Sequence, residues 1–134
     1  MHIVIDPTRK IQAVQDDFQR HYPYLKIEFY SKTHQPGQGS LQKFQLRHDL
    51  TIVQAQDHPK NGVISITPDM KVKDVENIFE DILELHVQIF RLSGKVWLQT
   101  ITTDHLTLAE QNKMALEMDT PVLKDETEDY HEQE

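Results

Sequence analysis

Two short pairs of residues carry the groups in this chain that are best suited to metal binding or acid–base chemistry. His48-Asp49 and Asp104-His105 each join an imidazole to a carboxylate. If the pairs met in space, they would offer a ligand set that suits a divalent metal. Each pair, however, lies one leucine before a threonine that can begin a helix, and Asp and His are ordinary residues in such a loop. We therefore interpret all four as loop residues and predict no metal, no other cofactor and no catalytic residue. The alternative is a small enzyme or metal-binding protein that uses both pairs.

Known catalytic motifs are missing from the rest of the sequence. The eight histidines show no HxxxH or HExxH spacing, and there is no nucleophile elbow, Walker loop or G-x-G-x-x-G motif. Gly37-Gln38-Gly39 lacks the third glycine, so we interpret the stretch from residue 33 to residue 40 as a flexible loop. The absence of cysteine excludes disulfides, thiolate metal sites and cysteine nucleophiles. These observations favour a protein that is not an enzyme.

The charge of the chain is concentrated at its C-terminal end. The 134 residues have a formal net charge of −8. Residues 119–134 contain seven acidic residues against Lys124 alone, so they carry −6, and residues 1–118 are nearly neutral. We predict one domain over residues 1–118 and an acidic, disordered tail over residues 119–134. Because lysine and arginine are not clustered, nucleic-acid binding is disfavoured.

The N-terminal residues and the apolar runs argue against export and against a membrane partner. The chain reaches an acid at Asp6, without a basic segment or a long apolar stretch, so no secretory signal is predicted. The longest apolar runs are about four residues, far too short to span a bilayer. We expect a cytoplasmic protein.

The predicted secondary-structure elements that position the two His/Asp pairs occur twice, in residues 1–58 and 61–118. Each half begins with a strand, Ile3–Ile5 or Ile64–Ile66, followed by Asp6-Pro7 or Thr67-Pro68, which can start a helix. Apolar residues at helical spacing come next, and then a second strand, Leu25–Phe29 or Leu85–Ile89. The helical positions are 11, 14 and 18 in the first half and 72, 75 and 79 in the second.

Each half then ends with a strand and a capped helix. Thr51 is followed three residues later by Gln54, and Thr107 by Glu110, which is the capping-box spacing. The strand before the first box is weak, at residues 41–46, whereas Ser93-Gly94 predicts a tight hairpin turn in the second half. We predict an α+β domain in which two βαββα repeats form a six-stranded mixed sheet with helices mainly on one face. The alternative is a ferredoxin-like core with an added C-terminal hairpin and helix.

The second half also carries a recognisable signature. Residues 87–100 read VQ-x-FR-x-SG-x-x-WL-x-T, and Thr103-Asp104 and LT-x-x-EQN follow. This pattern resembles a family of small uncharacterised bacterial proteins, and the resemblance extends more loosely over residues 1–118. The family has no assigned activity, so the resemblance implies a compact, free-standing domain and no site residue.

The predicted hairpin fixes which side chains share a face. With Ser93-Gly94 as the turn, Phe90 lies opposite Trp97, and the other face is apolar and packs under the helices. The face away from the helices then combines aromatic and amide groups, and aromatic residues are enriched in interface hot spots. We predict a protein-interaction module that binds itself or a protein partner through this open face. Its predicted surface consists of Tyr30, His86, Gln88, Phe90, Trp97 and Gln99. The alternatives are that a loop or the tail of the chain covers the face, or that it is a stacking platform for a ligand or nucleic acid.

Overall fold

The computed structural model describes residues 1–32 and 38–119 and confirms the α+β class. The described residues form five strands and four α-helices. The strands are β1 (His2–Ile5), β2 (Leu25–Tyr30), β3 (Gly62–Ser65), β4 (His86–Ser93) and β5 (Val96–Gln99), and the helices are α1 (Ile11–His21), α2 (Ile52–Ala55), α3 (Val72–Leu83) and α4 (Leu108–Asp119).

The strands belong to two antiparallel sheets, not to the single mixed sheet that we predicted. β1 pairs with β3, and the other sheet has the order β2-β4-β5. Both pairings between the halves join strands at equivalent positions, with Ile3 opposite Ile64 and Glu28 opposite Gln88. All the pairings in both sheets are antiparallel, so the described strands form no mixed sheet. The single sheet of the ferredoxin-like alternative is not formed by the described residues either.

Corresponding backbone hydrogen bonds occur in the two halves. The first amide of α1, at Ile11, donates to Leu50 O, and the first amide of α3, at Val72, donates to Leu106 O. The first amides of α2 and α4 donate in turn to the segments before α1 and α3, with Ile52 bonded to Arg9 O and Leu108 to Met70 O. Each long helix is therefore tied at its start to the loop that carries one of the His/Asp pairs.

The structure places the starts of α1 and α3 later than the Asp-Pro and Thr-Pro steps. Asp6 caps a turn instead, where its carboxylate accepts the N–H of Thr8 at 2.8 Å. The capping-box spacing is productive in both halves. Gln54 Oε1 accepts the N–H of Thr51 at 2.8 Å, and Glu110 and Thr107 bond each other reciprocally at 2.9 and 3.1 Å. The capping-box spacing therefore predicted the starts of α2 and α4 correctly, because in both helices a side chain bonds a backbone N–H at the start.

The weak strand predicted at residues 41–46 is absent. Residues Gln42–Phe44 form a 3₁₀ turn, and only Gln45 makes a β-bridge, to Tyr30. This segment runs antiparallel to the end of β2 over that single bridge, where Leu46 N donates to Phe29 O and Ser31 N donates to Phe44 O. The predicted flexible loop at residues 33–37 and the predicted disordered tail from residue 120 onward lie outside the described residues.

The hairpin turn is Gly94-Lys95 and not Ser93-Gly94. Ser93 lies opposite Val96, Leu92 opposite Trp97, and Phe90 opposite Gln99. The first residue of the turn has a φ of +64°, which glycine adopts without strain and serine does not, so Gly94 takes that place. The change moves the register by two residues, and the predicted grouping of side chains on each face is therefore unchanged.

One apolar cluster joins both halves. It contains residues of β1, β2, β3 and β4 and of the four α-helices, although α4 contributes only Leu108. Near its centre Phe29 and Phe79 make an edge-to-face contact. α1 and α3 supply the predicted stripes, including the fully buried Phe18 and Phe79. None of the helices in the described part of the chain is long and apolar enough to cross a membrane.

Candidate functional site

Part of the face that we predicted to be open is covered by the chain itself. Tyr30, His86 and Gln88 are buried, with exposed fractions of 1%, 8% and 2%. Residues 38–48 lie over this part of the sheet, and Gln45 bridges to Tyr30. These three residues are therefore buried in the single chain, and the prediction that they lie on an open surface is corrected. Phe90, Trp97 and Gln99 are half-buried, and their contact with a partner stays a prediction.

Glu28 is the centre of the buried polar groups in the first half. Its Oε1 lies 3.1 Å from Gln15 Nε2, 3.0 Å from Gln45 Nε2 and 3.1 Å from His48 Nε2. Its Oε2 is 3.4 Å from Lys26 Nζ. Burial of a carboxylate without hydrogen-bond donors costs free energy, so these partners stabilise Glu28 in its buried position.

Glu76 is the corresponding group in the second half. Its Oε2 accepts the side-chain N–H of Gln88 at 3.2 Å and the backbone N–H of Ile89 at 2.9 Å. Burial, opposed by the bond from Ile89 and aided by the charge of Asp104, raises the pKa of the Glu76 carboxyl to about 8. The Glu76 carboxyl therefore ionises less readily than that of an exposed glutamate. Burial, with Glu28 and Glu76 nearby, also raises the pKa of the Tyr30 hydroxyl.

At two equivalent positions, one half has an amide side chain where the other half has a carboxyl. In the first half the helix supplies the amide, Gln15, and the strand supplies the carboxylate, Glu28. In the second half the helix supplies the carboxyl, Glu76, and the strand supplies the amide, Gln88. Sequence reasoning missed Gln15 and Glu76, although each lies directly after an aligned core valine and three residues before an aligned phenylalanine. A polar residue at the same place in both stripes was the signal.

A short strap attaches the covering segment to β4 and β5. Ser40 Oγ donates to Gln88 Oε1 at 3.3 Å, while the backbone N–H and C=O of Ser40 both bond the side-chain amide of Gln99 at 2.9 Å. The neighbouring Gly39 is so close that an added Cβ would lie 2.3 Å from Gln99 Oε1 and 2.6 Å from Ile101 Cδ1. A larger residue at this position would therefore displace the side chains of Gln99 and Ile101.

His86 is held between two carboxylates. Its Nδ1 lies 2.9 Å from Glu80 Oε1, and its Nε2 lies 2.9 Å from Asp57 Oδ2. The arrangement ties the start of β4 to α3 and to the segment after α2.

The mirrored His/Asp pairs occupy different surroundings. His48 bonds the buried Glu28, and Asp49 pairs with Arg47 at 3.1 Å on the surface, whereas His105 is exposed. Arg47, His48 and Asp49 also line an open depression of about 550 Å³. Within residues 1–32 and 38–119, no group of three or more His, Asp or Glu side chains is placed to hold a metal ion.

Phe90, Trp97, Leu92 and Lys26 form a surface that we call the aromatic patch. Lys26 Nζ lies 5.1 Å from the ring centre of Phe90 and 5.0 Å from that of Trp97. The two aromatic residues are thus diagonal neighbours joined by a cation, and not the directly opposed pair that we predicted. On the opposite face of the same strand, Val96 is 50% exposed.

Comparison with protein-family models, with curated proteins and with solved structures gave no significant match to this chain. The resemblance of the second half to a small bacterial family therefore stays a prediction.

Proposed function

We propose that this chain is a non-enzymatic protein-interaction module that binds a second copy of itself through the aromatic patch and the edge of β5. The half-exposed position of Trp97 on β5 carries the proposal. Among the described residues β5 has one neighbouring strand, β4, so its other edge can accept a new strand. The aromatic patch and Val96 add apolar surface at the same edge, and aromatic residues are enriched in interface hot spots.

The hairpin indicates which backbone groups would bind. In a two-residue hairpin the residues flanking the turn exchange hydrogen bonds, and here these are Ser93 and Val96. Bonded and non-bonded pairs then alternate, so the N–H and C=O of Trp97 point away from β4. An antiparallel partner strand would therefore bond at Trp97.

Two copies of β5 can pair about a two-fold axis at Trp97. Such an axis keeps the aromatic patches of both copies on the same side of the joined sheet and places the two Trp97 residues opposite each other. The chain already uses this kind of pairing internally, where β2 and β4 meet at Glu28 and Gln88. The proposed dimer extends the three-stranded sheet to six strands.

Sedimentation velocity over a range of protein concentrations tests this proposal. We expect the wild type to dimerise and Trp97→Ala to weaken the dimer by at least about tenfold, which corresponds to about 1.4 kcal/mol. Ile82→Ala is the matched control, because Ile82 is an apolar residue on α3 that is 61% exposed. A wild type that stays monomeric at every concentration, or a loss of dimer that is equal in both variants, would contradict the proposal.

A further inference from the structure

Three lysines lie against aromatic rings on one side of the sheet β2-β4-β5. Lys26 contacts both rings of the aromatic patch, while Lys32 Nζ and Lys43 Nζ lie 4.8 and 5.1 Å from the ring centre of Phe44. Phe44 belongs to the segment of residues 38–48, which covers part of the same side of the sheet. Together these side chains form a surface that we call the lysine face, made of Lys26, Lys32, Lys43, Phe44, Phe90 and Trp97.

The segments that build the lysine face have a positive net charge. Residues 24–49 and 86–99 contain six basic residues against two acidic ones, which gives +4. Of the two acidic residues, Glu28 is buried, and Asp49 pairs with the neighbouring arginine at 3.1 Å. The surface of this side of the sheet therefore presents ammonium groups beside aromatic rings, a combination that suits an acidic ligand.

The C-terminal segment of the chain, residues 120–134, has the complementary charge. It contains six acidic residues against one lysine, which gives −5. Residues 50–85 and 100–119, which include α3 and α4, contain eleven acidic residues against four basic ones, so they repel this segment. A tethered segment has an effective concentration on the order of mM, which favours it over a separate acidic ligand at a lower concentration.

We propose that residues 120–134 bind the lysine face of their own chain. α4 ends at Asp119 and packs on the opposite side of the sheet, where Gln111 accepts from Arg91 at 2.9 Å. Fifteen further residues reach at most about 50 Å, whereas three strands are only about 10 Å wide, so the segment can pass an edge of the sheet. Its carboxylates bind the lysines and it covers Trp97. The contact competes with self-association for Trp97 and does not depend on it.

A nitroxide label on the C-terminal segment tests this contact, because it broadens the NMR signals of nearby nuclei. The chain has no cysteine, so Thr127→Cys supplies a single labelling site. We expect the amide signals of Lys43 and Phe44 and the indole signal of Trp97 to lose at least about half of their intensity at low salt and to recover it at 1 M salt, where charges are screened beyond about 3 Å. The amide of Gln12, on α1, is the reference. Equal broadening at Gln12 and Trp97, or no broadening at either, would overturn the proposal.

Two variants of the labelled chain test the charge requirement, each with three carboxylates replaced by amides. The test variant is Glu126→Gln/Glu128→Gln/Asp129→Asn, and the control, which changes exposed residues of α1 and α3, is Asp16→Asn/Asp74→Asn/Asp81→Asn. The broadening should be largely lost in the test variant and retained in the control, and equal broadening in both would contradict the proposal.

A mixture of two kinds of chain separates this contact from self-association. Chains that carry the nitroxide without isotope enrichment are mixed with isotope-enriched chains that carry no label. Broadening at Trp97 within labelled chains but not in the mixture supports the proposal. Equal broadening in the mixture would place the segment on a second copy and overturn it. A wild type that dimerises without any broadening at Trp97 would overturn this proposal and leave self-association standing.

Discussion

Glu28 and Gln88 lie directly opposite each other on the antiparallel strands β2 and β4. They hold equivalent places in the two halves, and each makes a hydrogen bond to the helix of its own half, at Gln15 and Glu76 respectively. The paired strands β2 and β4 therefore carry a layer of buried polar groups, where exchange of amide and carboxyl between the halves avoids two carboxyls facing each other.

The exchange predicts a strongly non-additive pair of substitutions. Gln15→Glu alone sets a second carboxylate against Glu28 in a buried site and should lower the free energy of unfolding by about 3 kcal/mol. Adding Glu28→Gln gives the first half the arrangement of the second half and should recover about half of that loss. A double-mutant cycle by urea denaturation measures the coupling, with Gln19→Glu on the same helix as a control. Additive effects would contradict the pairing.

The raised pKa of Glu76 predicts that stability falls as the solution becomes alkaline. The pKa rises from its ordinary value of 4.5 to about 8 on folding, so between these values the native state binds more protons than the unfolded state. The free energy of unfolding should decrease by about 1.4 kcal/mol per pH unit over this range and level off above it. In Glu76→Gln this contribution is lost. Guanidinium denaturation from pH 5 to pH 9 measures both slopes, and parallel curves would disprove the assignment.

The turn of the hairpin predicts a contrast between two glycines. Gly94 has a φ of +64°, so Gly94→Ala should lower the free energy of unfolding by about 1 kcal/mol. Gly62 lies in β3, has no positive φ, and an added Cβ there meets no atom within 4 Å. Gly62→Ala should therefore be neutral or slightly stabilising. Thermal unfolding of the two variants gives the comparison, and an equal loss in both would refute the stated turn.

The mirrored histidines His48 and His105 are predicted to contribute differently to the stability of the protein, and neither is predicted to bind a metal. His48→Ala removes a partner of the buried Glu28 and should cost about 1 kcal/mol, while exposed His105 can be replaced within about 0.5 kcal/mol. Calorimetric titration of the wild type with zinc should show no stoichiometric binding. Binding that is lost in the double variant His48→Ala/His105→Ala would instead support a metal site.

The features that depend on local spacing in the sequence were predicted correctly. The two stripes placed Phe18 and Phe79 in the core, and the capping boxes at Thr51 and Thr107 predicted two helix starts. Alternation along β4 gave the correct grouping of side chains even though the register was displaced.

What could not be predicted depends on contacts between segments far apart in sequence. Ser40 and Gln99 bond across 59 residues, and nothing in either local pattern indicates that residues 38–48 turn back over the sheet. The equivalence of the halves was visible, but that the equivalent strands pair with each other was not. Glu28 looked like an ordinary exposed charge on an alternating strand, because its partners Gln15, Gln45 and His48 come from three other segments.

The pairing of β1 with β3 and of β2 with β4 has a consequence for synthesis on the ribosome. The first half is made with both of its strands, but their partners lie about 60 residues later in the chain. At roughly 5–20 residues per second, β1 and β2 wait about 3–12 s with unpaired edges. Val4, which stays 49% exposed after folding, and the apolar face of β2 are open to other nascent chains during that interval. Stable pairing of the first half therefore waits for β3 and β4, and slow translation of the second half lengthens the period in which the first half can aggregate.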